Sequence, residues 1–515
     1  MLSSGTRVAT TIAIVLLVGA CAPAASPAPI AAPLGSVLLA SASAAATQAP
    51  TPTSAPISTP TPARQPGGWP YTVAGDSEPV FGPDGTVYLL ARDARGTSGR
   101  TFVALDSAGH QKRGWPIEAL PGSVFGSLAV APDGTVLVDE CGVPEVACTL
   151  HRFGEGGQEA PGWPYGIPPD FACPAADQCY STILDIDPNG GVYLASWRAN
   201  DLRVIAIDQG GDLVPGWPIV LDEYDWTDLR LGPDGTLFAI RRPIGTPTFD
   251  PSRGKIDELA ELWAFGSNGK PRSGWPVPVP NVGGYLLGAQ GDVVVRSLID
   301  DVGELCSYPR RTVFTVLDLD GRTASGWPRG STGLASFPAL GGDGTLYYVS
   351  ATYKVYAHDR AGEVKAGWPV PVPGAGNGCG PVSPSVAPDG TIYVVGDDVS
   401  ALSSDGRPLS GWPYRLPADA GAPCFDTDCV SGPPSTAISP DGTVYVVVHH
   451  TDPSGVRAEL LAIDRQGRLK AGWPYRVPFD ANAVIVVPSV SPDGRLLIRG
   501  GDRLLALDPD GRISD

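Results

Sequence analysis

The sequence predicts an all-β fold made of about nine four-stranded units, and three observations support this. Gly 65 and Pro 55 make up almost a quarter of the 515 residues, roughly twice their usual share, which disfavours long helices. Gly-Trp-Pro recurs about every 50 residues, and a glycine turn lies at a constant distance before it. Its tryptophans are Trp69, Trp115, Trp163, Trp217, Trp275, Trp327, Trp368, Trp412 and Trp473. A repeat of this length without helical periodicity is typical of the blades of a β-propeller.

Composition narrows the function classes. Hydrophobic residues make up 43% of the chain and charged residues 17%, so the sequence can bury a large core. The formal charge of −18 repels phosphate backbones, and nucleic acid is therefore not expected as a partner.

The N-terminus has the features of a secretory signal. The apolar run Val8 to Val18 is too short to span a bilayer, which takes about 20 residues, and it ends in Gly19-Ala20-Cys21. This ending resembles the lipobox of bacterial lipoproteins, which implies a lipoprotein signal peptide over residues 1–21 and lipidation of Cys21. The alternative is an ordinary signal peptide cut near Ala20 or Ala25. Residues 22–67 are almost all Ala, Pro, Ser and Thr, and predict a disordered linker before a propeller over residues 68–515.

Each unit is expected to contain four short strands, A to D. The turn between A and B has glycine at Gly85, Gly134, Gly190, Gly235, Gly344, Gly390, Gly442 and Gly494, and in degenerate form at Gly291. The turn between C and D has its glycine six residues before the tryptophan in eight units. An eight-bladed ring that omits the fifth unit is the alternative.

The two ends of the repeat region are complementary fragments. The last C–D glycine, Gly511, lies so close to Asp515 that the chain ends before a strand D. The first Gly-Trp-Pro, Gly68-Trp69-Pro70, has no strand C before it. We therefore expect the N-terminal strand to complete the last blade, which removes the free sheet edges of the ring.

The segments Ala104-Leu105-Asp106, Ala206-Ile207-Asp208, Ala462-Ile463-Asp464 and Ala506-Leu507-Asp508 resemble the tryptophan-docking repeat of PQQ-like propellers. Here the threonine of that repeat is missing, the spacing from glycine to tryptophan is six, and proline follows. The resemblance implies a PQQ-like propeller, a family that includes quinoprotein dehydrogenases and lipid-anchored scaffold proteins of membrane-protein assembly. The dehydrogenases have a vicinal Cys-Cys and an acidic calcium cluster, and neither motif is in this sequence.

Several aromatic, acidic and histidine residues are candidate sites. The nine repeated tryptophans are interpreted as packing between blades rather than as a binding array, whereas Trp197, Trp226 and Trp263 are candidates for contact surfaces. Asp185 to Gly190 matches the opening of a calcium loop, but the A–B turn is the preferred interpretation. Adjacent His449 and His450 point to opposite faces of a strand, which suits a metal poorly.

Eight cysteines follow Cys21, and an even number in an exported chain predicts disulfides. Sequence spacing favours the pairs Cys141 with Cys148, Cys173 with Cys179 and Cys424 with Cys429, which leaves Cys306 with Cys379. All eight fall in B–C or D–A connections, which share one face of a propeller, called here the loop face. The A–B and C–D turns form the opposite turn face.

The loop face also receives an acidic and aromatic segment that exceeds what a short connection needs. Its residues Asp222, Glu223, Tyr224, Asp225, Trp226 and Asp228 are candidate contacts for a cationic or hydroxylated partner, and packing of Trp226 is the alternative. We expect a monomeric, extracytoplasmic, membrane-anchored lipoprotein, at the cell surface or in the periplasm, that binds a protein, glycan or envelope component without metal or cofactor. The alternatives are a secreted propeller enzyme, either quinoprotein dehydrogenase-like or a hydrolase or lyase, and a structural spacer.

Overall fold

A computed structural model describes residues 68–72, 79–91, 101–142, 148–168, 180–197, 201–222, 224–243, 260–280, 282–299, 311–331, 333–375, 381–417, 420–421, 436–452, 455–477, 489–500 and 503–514. All of them lie in the second of two compact units, Arg64–Asp515. The signal peptide, Cys21 and the linker fall outside the described residues and stay predictions. Over the described ranges, no helix is long and apolar enough to cross a membrane.

The described secondary structure is a set of β-strands that form nine antiparallel blades. Blade 1 contains β2 (Val80–Phe81), β3 (Val87–Ala91), β4 (Thr101–Leu105) and β5 (Ile117–Glu118). Blade 2 contains β6 (Ser123–Val130), β7 (Val136–Gly142), β8 (Thr149–Phe153) and β9 (Tyr165–Gly166). Blade 3 contains β10 (Tyr180–Ile186), β11 (Val192–Trp197), β12 (Asp201–Ile207) and β13 (Ile219–Asp222).

The next three blades repeat this order. Blade 4 contains β14 (Tyr224–Leu231), β15 (Leu237–Pro243), β16 (Glu261–Phe265) and β17 (Val277–Pro278). Blade 5 contains β18 (Val282–Leu287), β19 (Val293–Ile299), β20 (Arg311–Leu317) and β21 (Arg329–Gly330). Blade 6 contains β22 (Ala339–Leu340), β23 (Leu346–Val349), β24 (Lys354–His358) and β25 (Val370–Pro371).

The last three blades complete the ring, and blade 8 has an additional strand, β30. Blade 7 contains β26 (Ser385–Val386), β27 (Ile392–Val395), β28 (Asp398–Leu402) and β29 (Tyr414–Arg415). Blade 8 contains β30 (Ala420–Gly421), β31 (Thr436–Ile438), β32 (Val444–Asp452), β33 (Gly455–Ile463) and β34 (Tyr475–Arg476). Blade 9 contains β35 (Ser489–Val490), β36 (Leu496–Gly500), β37 (Arg503–Leu507) and, from the other end of the repeat region, β1 (Tyr71–Thr72).

The predicted closure is confirmed. β1 is the outer strand of blade 9 and pairs with β37, so that Tyr71 lies opposite Leu504 and Thr72 opposite Arg503. The fifth unit is a regular blade as well, because its turn closes with Gly291 donating to the Gly288 carbonyl at 3.0 Å. The fold is therefore a nine-bladed propeller, and the eight-bladed alternative is wrong.

The strand sequences are apolar because each blade is covered on both sides by its neighbours. In blade 1, Val87, Tyr88, Leu89 and Leu90 are each at most 3% exposed. Each hydrophobic cluster joins neighbouring blades, and one cluster joins blades 8, 9 and 1 across the closure. Two-sided burial explains why these strands are continuous apolar runs rather than alternating ones.

The repeated tryptophans join each blade to the next one. Every indole Nε1 donates to a backbone carbonyl in the C–D turn of the following blade, at 2.8–3.4 Å. Trp69 of blade 9 donates to Ser107 of blade 1, so the nine bonds form a closed cycle. All nine side chains are at most 9% exposed, which confirms that they pack between blades.

Candidate functional site

The turn face is uniform in all nine blades. In each A–B turn the glycine N–H donates to the carbonyl three residues earlier, as Gly442 does to Ser439 at 2.9 Å. Burial raises the pKa of Asp441 in this turn, but hydrogen bonds from Ser439 and Thr443 and the charge of Lys470 outweigh burial and lower the pKa to about 2. The backbone groups and the Asp441 carboxylate of this turn are thus used in hydrogen bonds that hold the turn together.

The loop face is uneven because the blades differ in strand length. Blade 8 has the longest B and C strands, β32 and β33, with 9 residues each, and blades 2 to 5 have long A strands. Their A strands, β6, β10, β14 and β18, have 8, 7, 8 and 6 residues, whereas those of blades 1, 6, 7 and 9 have 2. Each of the four long strands contains a β-bulge. Bulges are over-represented beside functional sites because they redirect side chains.

One predicted disulfide lies at the loop-face end of blade 2. Cys141 and Cys148 are bonded, with their Cα atoms 4.2 Å apart, and they join β7 to β8 at the loop end of blade 2. The other predicted pairs, Cys173 with Cys179, Cys424 with Cys429 and Cys306 with Cys379, lie outside the described residues.

A tight turn beside this disulfide presents an exposed leucine. Leu120 lies in the D–A connection from blade 1 to blade 2 and is 64% exposed, the largest value among the large hydrophobic side chains of the described ranges. The turn closes with Ser123 N–H donating to the Leu120 carbonyl at 3.0 Å, and Gly122 has a φ of 88°. The hydrogen-bonded turn therefore keeps the Leu120 side chain exposed to solvent.

A buried glutamate holds the Leu120 turn in place. Glu140 is 5% exposed, and its Oε1 accepts from both Leu120 N–H and Ser123 Oγ. Its Oε2 lies 3.1 Å from His151 Nε2, and His151 Nδ1 lies 3.2 Å from Glu159. A buried carboxylate is costly unless it is hydrogen-bonded or paired, so Glu140 is committed to this turn.

Sequence reasoning did not identify Leu120 or Glu140 as functional candidates. Leu120 lies in a short connection of ordinary composition, which carries no signal in the sequence. The signal for Glu140 is the pair Asp139-Glu140 after the apolar run Val136 to Val138, because two acids do not normally end a buried strand.

The acidic and aromatic segment expected to form a loop is in fact strand. Asp222 ends β13, Tyr224, Asp225, Trp226 and Asp228 lie in β14, and Glu223 lies outside the described residues. Asp228 is exposed at the bulge of β14, with a φ of 51°. The loop interpretation is wrong because the inner strand of blade 4 extends to the loop end and takes up these residues. A binding role for the segment stays a prediction.

Trp226 is part of a buried aromatic cluster in blade 4. It is 6% exposed, and its ring lies 5.7 Å from that of Trp263 and 6.2 Å from that of Phe265. Trp226 therefore packs among neighbouring aromatic side chains, as the packing alternative for this residue expected. Its indole N–H has no hydrogen-bond partner, which is uncommon for a buried donor.

Trp263 continues this cluster toward the loop face. The Arg241 guanidinium lies 5.5 Å from the centre of the Trp263 ring, and the indole N–H donates to Glu261 at 3.1 Å. Arg241 also donates to Glu261, at 3.1 Å. This arrangement places a paired cation and anion at the loop-side end of an aromatic stack.

The remaining candidates have structural positions. Asp187 Oδ1 accepts from Asn189 and Gly191 N–H at 2.7 and 3.0 Å, which confirms the turn interpretation of the calcium-like motif. His450 is buried, with Nε2 3.4 Å from Glu459, and it lies in β32 with His449. Trp197 ends β11. Within the described part of the chain, no group of three or more His, Cys, Asp or Glu residues is placed to hold a metal.

Comparisons with known proteins found structural similarity only. No protein-family model and no curated protein matches the sequence. A eukaryotic initiation factor structure is 12% identical, with a TM-score of 0.48 over 81% of this chain and 93% of the other. The WD40 domain of Sif2 is 14% identical, with a TM-score of 0.39 over 74% and 95%. BamB from Moraxella catarrhalis is 15% identical, with a TM-score of 0.29 over 64% and 98%.

Proposed function

We propose that this chain is a lipid-anchored, extracytoplasmic binding module whose loop face captures a partner in the cell envelope. The difference between the two faces supports the proposal. The turn face has the same short turns in nine blades, whereas the loop face has the long A strands of blades 2 to 5, the Cys141–Cys148 bond and the Leu120 turn. Irregular connections held by a rigid framework are where binding residues concentrate.

Among the three ligand classes expected from the sequence, a protein surface fits the Leu120 turn best. A single exposed apolar side chain is ordinary on any protein. Leu120 differs because a buried carboxylate is dedicated to its turn, so that little conformational entropy is lost when the leucine is covered by a partner. An apolar side chain fixed in this way is suited to a pocket on a protein.

Replacing Leu120 with Arg is expected to lower capture of the partner at least about fivefold, because a charge would have to be buried in an apolar contact. The measurement is the fraction of purified propeller that sediments with an envelope fraction of the source cells. Leu120 is 64% exposed, so the unfolding midpoint should be unchanged.

Val364→Arg is the matched control for Leu120→Arg. Val364 is 43% exposed, and it follows the C–D turn on the opposite face. This variant should sediment with the envelope as wild type does. Equal capture by wild type and both variants would contradict a binding role for the Leu120 turn, and equal loss in both variants would contradict the choice of face.

The anchor is tested separately with Cys21→Ala. Loss of the acyl chains should move the protein from the detergent phase to the aqueous phase of a detergent partition, since anchoring depends on burying those chains. Ser36→Ala, a change within the linker, should leave the partition as it is. If Cys21→Ala also stays in the detergent phase, Cys21 is not the anchor.

A further inference from the structure

The outer edges of the blades are protected against strand addition, with one exception. Each strand D carries, three residues after its tryptophan, a residue that lies on the rim of the ring. In eight blades it is polar, charged, glycine or proline: Thr72, Glu118, Gly166, Pro278, Gly330, Pro371, Arg415 and Arg476. In blade 3 it is Val220. Charge and proline are the usual means by which proteins keep edge strands from pairing with another chain, and glycine weakens a strand.

Blade 3 differs from the others in the length of its edge as well. β13 has 4 residues, whereas the D strand of every other blade has 2. Val220 is 49% exposed, while the next residue, Leu221, is buried. β13 ends its sheet, and no described strand pairs with its outer side.

Proline in two other blades indicates where the Val220 N–H points. Val220 lies opposite Arg203 of β12, and Pro278 and Pro371 occupy the same position opposite Glu261 and Lys354. Proline has no N–H, yet the strands still pair in those blades, so pairing with strand C does not need this donor. In β13 the Val220 N–H is therefore directed outward, where a further strand would accept from it.

The charge beside this edge favours a basic partner. Asp222 at the end of β13 is paired in register with Asp201 of β12, and Glu223 and Asp225 follow in the sequence. Like charges in opposite positions of a sheet are destabilising, so an added strand that brings cations to this end is favoured. The basic residues of the same stretches are Arg203 in β12 and Arg198 in the connection before it, so the four acids outnumber two bases. A second copy of this chain, which also carries a formal charge of −18, fits less well.

We propose that the outer edge of β13 binds an extended, basic segment of a partner protein as an additional strand. Main-chain hydrogen bonds supply the affinity in this mode of recognition, and alternate side chains supply the selectivity. Here an apolar residue of the segment would lie opposite Val220, and basic residues two positions away would lie opposite the Asp222 end of β13. The surface is on the rim rather than the loop face, so the proposal is independent of the Leu120 turn.

The test uses the full chain and fluorescent peptides, with fluorescence anisotropy as the measurement. The peptide Thr-Lys-Thr-Val-Thr-Lys-Thr carries its Lys and Val side chains on one face of a strand, as positions 220 and 222 share one face of β13. It should bind, and added salt should weaken binding. The peptide Thr-Glu-Thr-Val-Thr-Glu-Thr should not bind, because its charge has the wrong sign. The basic peptide with N-methylated Lys and Val residues should not bind either, because those residues then lack the N–H groups that would face β13. Leu120→Arg should bind the basic peptide as wild type does.

Val220→Pro should weaken binding of the basic peptide at least about tenfold, since it removes the outward N–H at a position where two other blades already have proline. Val220→Ile, which keeps the N–H, the β-branch and the apolar side chain, should bind within about twofold of wild type. Failure of the basic peptide to bind wild type, or equal binding by Val220→Pro, would overturn the proposal. A wild-type dimer in light scattering that becomes a monomer in Val220→Pro would assign the edge to a second copy instead.

Discussion

Deleting residues 68–72 is expected to destabilise the whole propeller by about 5 kcal/mol or more. The deletion removes β1, the hydrogen bond from Trp69 to Ser107, and two core side chains that are 9% and 5% exposed, Trp69 and Tyr71. Loss of one buried tryptophan alone costs about 3–5 kcal/mol. Removal of β1 also exposes the outer edge of β37 and opens the cycle of blade contacts.

The measurement is the midpoint of urea unfolding, followed by tryptophan fluorescence. A deletion of five residues within the linker 22–67 is the matched control and should leave the midpoint as in wild type. Addition of a synthetic peptide with the sequence of residues 66–74 should restore part of the lost stability, because it supplies the missing strand. An unchanged midpoint after deletion of 68–72 would show that β1 does not close the ring.

The closure of the ring and the number of blades were predictable because every blade repeats the same short motifs in the sequence. Each blade needs the same two turns and the same tryptophan, so nine copies of each marker indicate nine blades. The incomplete units at Gly511 and Gly68 are complementary for the same reason. Even the degenerate turn at Gly291 kept its glycine, which adopts the positive φ of 84° that the turn requires.

The extent of the strands was less predictable, and blade 4 shows why. Tyr224, Trp226 and their polar neighbours Asp225 and Thr227 alternate in the way of a half-buried strand. The regular blades have inner strands of two residues, and on that pattern the same residues count as surplus loop. Only the structure shows that β14 continues through them and that Trp226 packs against Trp263.

The candidate contact at Leu120 could not be predicted, because it depends on a distant residue. Leu120 is exposed on an ordered turn, and the order comes from Glu140, which is 20 residues away in sequence and on another strand of blade 2. A side chain that reaches across a sheet to hold a turn leaves no local pattern. In contrast, the exception at Val220 is visible once the nine D strands are aligned by their tryptophans.

Gly326→Ala is expected to destabilise the protein by about 4 kcal/mol or more, which is exceptional for one methyl group. Gly326 precedes Trp327 in blade 5 and has a φ of 84°, a conformation that costs other residues about 1–2 kcal/mol. A Cβ at this position would also lie against the backbone oxygen of Ala361 in the C–D turn of blade 6, well inside van der Waals contact. Because the atom that the Cβ would meet is a backbone oxygen, no side chain can move aside to relieve the clash.

The clash lies at the joint between blades 5 and 6. Trp327 donates to the Arg360 carbonyl at 3.1 Å in the same C–D turn, and its ring packs in a cluster with Phe314 and Tyr348. Moving the turn away to admit a methyl group would lengthen that hydrogen bond and loosen the cluster. A buried donor left without its acceptor costs a further 1–3 kcal/mol or so.

Gly390→Ala is the control that separates the clash from the backbone strain. Gly390 has the same φ of 84°, but a Cβ there would meet nothing within 4 Å. Its alanine variant should therefore lose only the 1–2 kcal/mol or so of the left-handed conformation. Both free energies of unfolding are measured in urea against wild type. If the two variants are equally stable, close approach of the glycine to the next blade is not what holds the ring together, and the tryptophan contacts alone carry the joint.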